Sequence, residues 1–229
     1  MQILEASLYG LRAAKITYEN STGMVVTLFP MVHAAEVSFY AAVFYSAFEE
    51  HDIALTEGIS SPVVKRLTRS YRWMVRRGGP LVLQTKATPA KGHVRRIQAD
   101  LSTAEFHRLW AEAPIATRMA MTLGAPLIGL SLFIKPDLEK LSRRLEMDDL
   151  ASRDQILGWS PEAAALDHAL LAARDDRLVE SLTETVRAGQ DRVRIAVVYG
   201  AAHIPAVLRA LPELGFVWKE SDWNLVFRA

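Results

Sequence analysis

Apolar and polar positions along this chain change period several times, and the changes lay out alternating strands and helices. Residues 3–8 and 12–18 alternate loosely about Gly10, the pattern of an opening β-hairpin. Residues 24–29 (MVVTLF) form a continuous apolar run between Gly23 and Pro30, as a buried strand requires. Residues 34–50 follow as a helix that is apolar on nearly every side, which predicts burial all round. Residues 53–57 (IALTE) are the next short strand, and a helical connection between neighbouring strands favours a parallel crossover.

The pattern then becomes mainly helical. A helix is expected over 62–77, stopped by Gly78-Gly79-Pro80, with an exposed loop over 86–92 and a strand over 94–99. Ser102 with Glu105 three residues on makes a capping box, and 106–145 reads as helix. Residues 147–159 are acidic and irregular. Ser160-Pro161-Glu162 opens further helices, which run to about Ala188. A buried strand (194–199), a helix (204–214) and a final strand (224–227) close the chain. The expected fold is α/β: one domain over 1–229 with a mixed, largely parallel central sheet flanked by helices, and a helical insertion at about 101–188.

Composition narrows the chemistry. The chain has no cysteine, so disulfides, thiolate zinc sites and a Cys nucleophile are excluded. A formal net charge of +1 gives no reason to expect nucleic acid. The opening MQILEASLYG has neither the basic start nor the apolar core of a signal peptide, and a cytoplasmic protein is expected. Residues 119–134 (MAMTLGAPLIGLSLFI) carry no charge but are shorter than the roughly 20 residues of a spanning helix. A buried helix pair or a homodimer interface is expected there, ahead of membrane contact. Lys65, Arg69, Arg72 and Arg76 share one helical face, read as solvated or, alternatively, as a peripheral membrane contact.

The candidate chemistry lies at strand ends. His33 follows the strand at 24–29, Glu57 ends the strand at 53–57, and His203 follows the strand at 194–199. In open α/β sheets ligands bind beyond the carboxyl ends of the strands, so these three side chains are expected to converge. Two imidazoles and a carboxylate can hold a divalent ion with positions left for water and substrate; without one they can act as general acid and base. Glu36, three residues after His33, is expected to support it. The histidines at 51, 93, 107 and 168 are read as surface residues. P-loop, Gly-rich dinucleotide, zincin and nucleophile-elbow motifs are all absent.

The segment YGAAHIPAVLRAL resembles the C-terminal glycine-x-x-histidine motif of the TraB/TIKI group, which is related to the erythromycin-esterase and ChaN-like proteins. His33 and Glu57 are similar to that group's first histidine motif and its acidic strand end, with Pro30 where the motif has glycine. Ala173-Arg174-Asp175 resembles the group's arginine motif without its glutamate, and Arg153-Asp154 is a second, less well-placed echo. The resemblance implies a site of His33, Glu57, Arg174 and His203. It also implies a metal-dependent hydrolase of peptide or other acyl bonds using Mn, Co or Zn, with His33, Glu57 and His203 as ligands. The alternatives it implies are a histidine-based esterase without metal and a haem-binding protein; the 119–134 stretch and the Arg69, Arg72 and Arg76 face add a membrane-associated binding protein as a further alternative. The expected partner is a small-molecule or peptide substrate.

Overall fold

The computed structural model describes residues 1–68, 72, 75, 79–84, 94–134, 138–150 and 164–229, without the side chains of 125–134 and 164–165. Its centre is a mixed sheet of eight strands in the order β7-β5-β9-β3-β2-β1-β8, with β10 also paired to β2. These strands are β1 (Gln2–Ser7), β2 (Gly10–Asn20), β3 (Val25–Met31), β5 (Ile53–Thr56), β7 (Arg95–Gln98), β8 (Met147–Asp148), β9 (Arg194–Gly200) and β10 (Phe216–Arg228). The run β7-β5-β9-β3 is parallel throughout. From β3 outward through β2, β1 and β8, and between β2 and β10, pairing is antiparallel.

The expected hairpin is β1–β2. Gly10 holds φ +128°, and a Cβ there would lie 2.0 Å from the Phe227 carbonyl oxygen of β10, so only glycine admits that close approach. The central strand β9 is buried from Ile195 to Tyr199, matching its unbroken apolar run. A core of Phe29, Phe39, Leu55, Val197 and Tyr199 fills the space between sheet and helices.

Helix α1 (Val37–Glu49) departs from the expected all-round burial. Phe39, Tyr40, Val43, Ala47 and Phe48 face the core, while Val37 and Tyr45 are exposed. Short β4 (Ala34–Glu36) precedes it and pairs antiparallel with β6 (Leu81–Leu83). Glu36 is turned away from His33: its carboxylate accepts from the Arg228 amide at 2.9 Å and meets the Arg228 guanidinium at 3.3 Å, because the β4–α1 corner packs against the end of β10.

The final strand is far longer than expected. Residues 217–223 are all exposed and show no inward-facing alternation; the ladder to β2 holds them in strand conformation.

Helix α2 (Pro62–Leu67) precedes β6 and β7, and the insertion contains α3 (Thr103–Glu112), α4 (Ile115–Ile134) and α5 (Leu138–Leu145), followed by β8. The capping box at Ser102 and Glu105 is formed at α3. A second apolar cluster, Leu101, Phe106, Trp110, Ala113 and Leu166, joins α2, α3 and α4, while Leu138, Leu141 and Leu145 of α5 pack on the main core. The uncharged stretch lies within α4, a single helix through Gly124, Pro126 and Gly129 rather than a helix pair. Among the described residues no helix is long and apolar enough to cross a membrane. The expected loop at 86–92, the helix start at Ser160-Pro161-Glu162 and Arg153-Asp154 lie outside the described residues, as do Arg69, Arg76 and His93. After α6 (Ala164–Asp167) the helix widens into a π turn at His168–Ala172 and continues as α7 (Ala173–Ala188). Helix α8 (Ile204–Glu213) leads into β10.

Candidate active site

Strand order makes the site. β9 lies between β3 and β5, and all three run parallel, so their carboxyl ends stand side by side. His33 is two residues beyond β3, Glu57 one residue beyond β5, and His203 closes the 3-10 turn Ala201–His203 that follows β9. All three line one cavity of about 710 Å³, together with Arg174 from α7.

The backbone around His33 and both the backbone and the side chain of Glu57 are tethered by hydrogen bonds. The His33 carbonyl accepts from the Gln84 amide at 2.9 Å, and the Val32 carbonyl before it accepts from the buried Tyr40 hydroxyl at 2.8 Å. The Glu57 amide donates to Val198 on β9, and its Oε2 accepts from the Gly200 amide at 2.7 Å. Oε1 of Glu57 accepts from Arg174 Nη2 at 2.6 Å. Ser61 caps α2 by accepting from the Val63 amide, and the glutamate is left to the site.

Arg174 is gripped by a second carboxylate that sequence analysis missed. Asp100, at the end of β7, accepts from Arg174 Nε at 2.9 Å and from Nη2 at 2.8 Å, a two-pronged contact. Asp100 also accepts from the Gly58 and Leu101 amides, and its side chain is 0% exposed. Nη1 of Arg174 points to the Leu170 carbonyl at 3.5 Å, and the guanidinium carbon lies 5.8 Å from the centre of the Tyr199 ring. One arginine thus ties together the ends of β5 and β7 and the π turn ahead of its own helix. Its Nε and Nη2 donors are taken by Asp100 and Glu57, which holds the site in shape, while the residue itself still lines the cavity.

Asp175, the next residue, was also missed. Its Oδ1 stands 2.6 Å from His203 Nδ1, with both side chains almost completely buried. The π turn immediately ahead of α7 presents Arg174 and Asp175 to different parts of one site. π turns in helices are concentrated at functional sites for this kind of local register change. The only signal in the sequence was an acidic residue beside Arg174, on a helix whose path is set by tertiary packing. Tyr199 packs edge-on against His203 with ring centres 5.0 Å apart.

The charges are mutually dependent. Burial alone would raise the Glu57 pKa; the Arg174 guanidinium, helped by His203 and His33, outweighs it and holds the carboxyl at about 2. Burial opposes the Arg174 charge, and Glu57 and Asp100 more than restore it, so the guanidinium stays protonated. His33 opens onto the cavity, yet the surrounding walls crowd it enough to lower its pKa, against the opposing pull of Glu57. Burial, with Asp100 and Glu57, drives the Tyr199 hydroxyl upward against the influence of Arg174, so it remains a neutral phenol.

The expected ion-binding set is brought to one cavity, but as placed it does not fit a metal ion. Both Glu57 oxygens already carry donors, and the Arg174 cation stands beside the carboxylate where an ion would. Among the described residues no group of three or more His, Asp or Glu side chains is arranged to hold one. Of the other histidines, His107 and His168 are exposed as expected, and His107 Nε2 meets the Ser61 hydroxyl at 2.8 Å. His51 is buried instead. Its Nδ1 meets the Ser46 carbonyl at 2.8 Å at the end of α1, and its ring packs edge-on against Phe29.

No family model, curated protein or solved structure matches this chain. The resemblance to the TraB/TIKI group rests on its short motifs.

Proposed function

We propose that the protein is a hydrolase of ester or other acyl bonds in which the His203–Asp175 pair activates water. The observation that carries this reading is the 2.6 Å contact between Nδ1 of His203, which lines a substrate-sized cavity, and Oδ1 of Asp175. With Nδ1–H donated to Asp175, the lone pair of His203 lies on Nε2, and the buried carboxylate stabilises the imidazolium that forms. Water loses its proton to Nε2 as its oxygen bonds to the acyl carbon. The same proton then passes to the departing alkoxide or amine as the acyl bond breaks. His33, neutral at pH 7, contributes a polar group on the same cavity wall, where charge develops on the carbonyl oxygen. The Arg174, Glu57 and Asp100 ion pairs fix the strand ends between which these groups stand.

The test is hydrolysis of a panel of p-nitrophenyl esters after exhaustive chelation. Activity that survives chelation and is lost in His203→Ala and Asp175→Asn supports the reading; equal rates in wild type and both variants overturn it. Elemental analysis after loading with manganese, cobalt and zinc separates it from the metal-dependent form of the same hydrolysis. A stoichiometric ion that disappears in the His33→Ala/His203→Ala double variant would overturn the metal-free reading in favour of that second form.

A further inference from the structure

A second pocket, of about 590 Å³, adjoins the site and differs from it in character. Its charged walls are Lys65, Arg66 and Arg72, and no Asp or Glu lines it among the described residues. Lys65 and Arg66 lie on the exposed side of α2, and no ion pair among the described residues holds them. The site cavity has an apolar wall of Met31, Leu67, Met121, Leu145, Met147 and Leu171, with Arg144, Glu146 and Asp148 on its rim at the α5–β8 end. His33 and Thr68 line both spaces. The histidine therefore stands at the junction of an apolar chamber and a cationic one.

We infer that the natural ligand is an anionic amphiphile, its single apolar chain in the Met- and Leu-lined cavity and its phosphate or carboxylate head in the Lys65/Arg66/Arg72 pocket, with the bond between the two parts beside His33. The inference rests on reading the cavity as the substrate site. The physical case is additive. Each methylene removed from water adds to the affinity. The Lys65, Arg66 and Arg72 cations, with no carboxylate among the described residues lining their pocket, favour an anionic head and disfavour a cationic one. A neutral apolar ligand would leave the cationic pocket unused, and a small anion would leave the apolar one empty. As substrate, such a molecule is an acyl ester whose alcohol portion carries the anion. Water oxygen bonds to the acyl carbon, the carbon–oxygen ester bond breaks, and the proton ends on the released alkoxide. The products are a carboxylic acid and an anionic alcohol.

The test uses wild-type protein and ligands with no acyl bond, so turnover plays no part. Calorimetric titration below the critical micelle concentration compares dodecyl phosphate, dodecyltrimethylammonium and inorganic phosphate. The expected result is one dodecyl phosphate per chain, bound at least about tenfold tighter than the cationic analogue, with inorganic phosphate weaker by about 100-fold or more. Lys65→Glu/Arg66→Glu, on an exposed helix face, should abolish or reverse the preference for the anionic head. Met121→Trp should weaken dodecyl phosphate about tenfold while leaving butyl phosphate unchanged. Equal binding of the two dodecyl ligands, an unaltered preference in the charge-reversal variant, or inorganic phosphate binding as tightly as dodecyl phosphate would each overturn the inference. If the headgroup preference is found but wild type cleaves no ester either after chelation or after loading with manganese, cobalt or zinc, the hydrolase reading fails and the amphiphile site stands. Ester cleavage without the preference overturns the amphiphile site and leaves the hydrolase standing.

Discussion

Nδ1 of His203 and Oδ1 of Asp175 stand 2.6 Å apart, on neighbouring elements 28 residues apart in sequence, with both side chains almost completely buried. A buried carboxylate against a ring nitrogen fixes the tautomer of that ring and leaves the other nitrogen to accept a proton. Asp175→Asn keeps the shape while removing the charge that stabilises the imidazolium. It should lower kcat for ester hydrolysis by about 10²–10⁴-fold with little change in KM. The His203→Ala/Asp175→Asn double variant should be no slower than His203→Ala alone, because the two act as one unit. Steady-state kinetics on the three variants is the check; additive losses would mean that Asp175 acts elsewhere.

The carboxyl of Glu57, held at about 2 instead of its ordinary 4.5, makes stability depend on pH. A depressed carboxyl stabilises the fold above the unfolded pKa, and that stability is lost as pH falls through the folded value. The contribution of Glu57 is therefore complete above about pH 4.5 and disappears on the way down to about pH 2, amounting to about 3 kcal/mol at most. Glu57→Gln should be less stable than wild type at pH 7, and the gap should close between those two values. Urea unfolding at a series of pH values reads this directly.

Arg174 holds Glu57 and the fully enclosed Asp100 together. Arg174→Met leaves two carboxylates facing each other without a cation and should cost about 3–5 kcal/mol of stability. Arg174→Lys restores a charge but not the fork that grips Asp100 through Nε and Nη2, and it should recover only part of the loss. Denaturant midpoints at constant m-value check both.

Gly200 gives room for the Glu57 clamp. A Cβ at this position would lie 2.9 Å from Glu57 Oε2 and 3.5 Å from His203 Cδ2. Its backbone angles are ordinary (φ −52°), so Gly200→Ala should act sterically, pushing the carboxylate off the Gly200 amide. Activity should fall at least tenfold while thermal stability drops by about 1–3 kcal/mol. Activity equal to wild type would show that the Glu57–Gly200 hydrogen bond is dispensable.

The amino-acid sequence by itself determined the elements whose signals are local. Strands β3, β5 and β9 are short apolar runs bounded by turn residues, and Ser102 with Glu105 caps α3 through groups three residues apart. His33, Glu57 and His203 could be picked out because a strand end is visible in the hydrophobic pattern. Arg174 came from a motif resemblance, and the structure places it in the same cavity. The exposed residues of β10 carried no comparable signal, because a ladder to β2 depends on a strand about 200 residues away. Only the tertiary structure decided that β9 inserts between β3 and β5, which turns three separate strand ends into one site. It also decided that Asp100 and Asp175, unremarkable along the chain, are the carboxylates that hold Arg174 and His203. Charge pairing at this range follows from how helices pack over a sheet, and no local spacing encodes it.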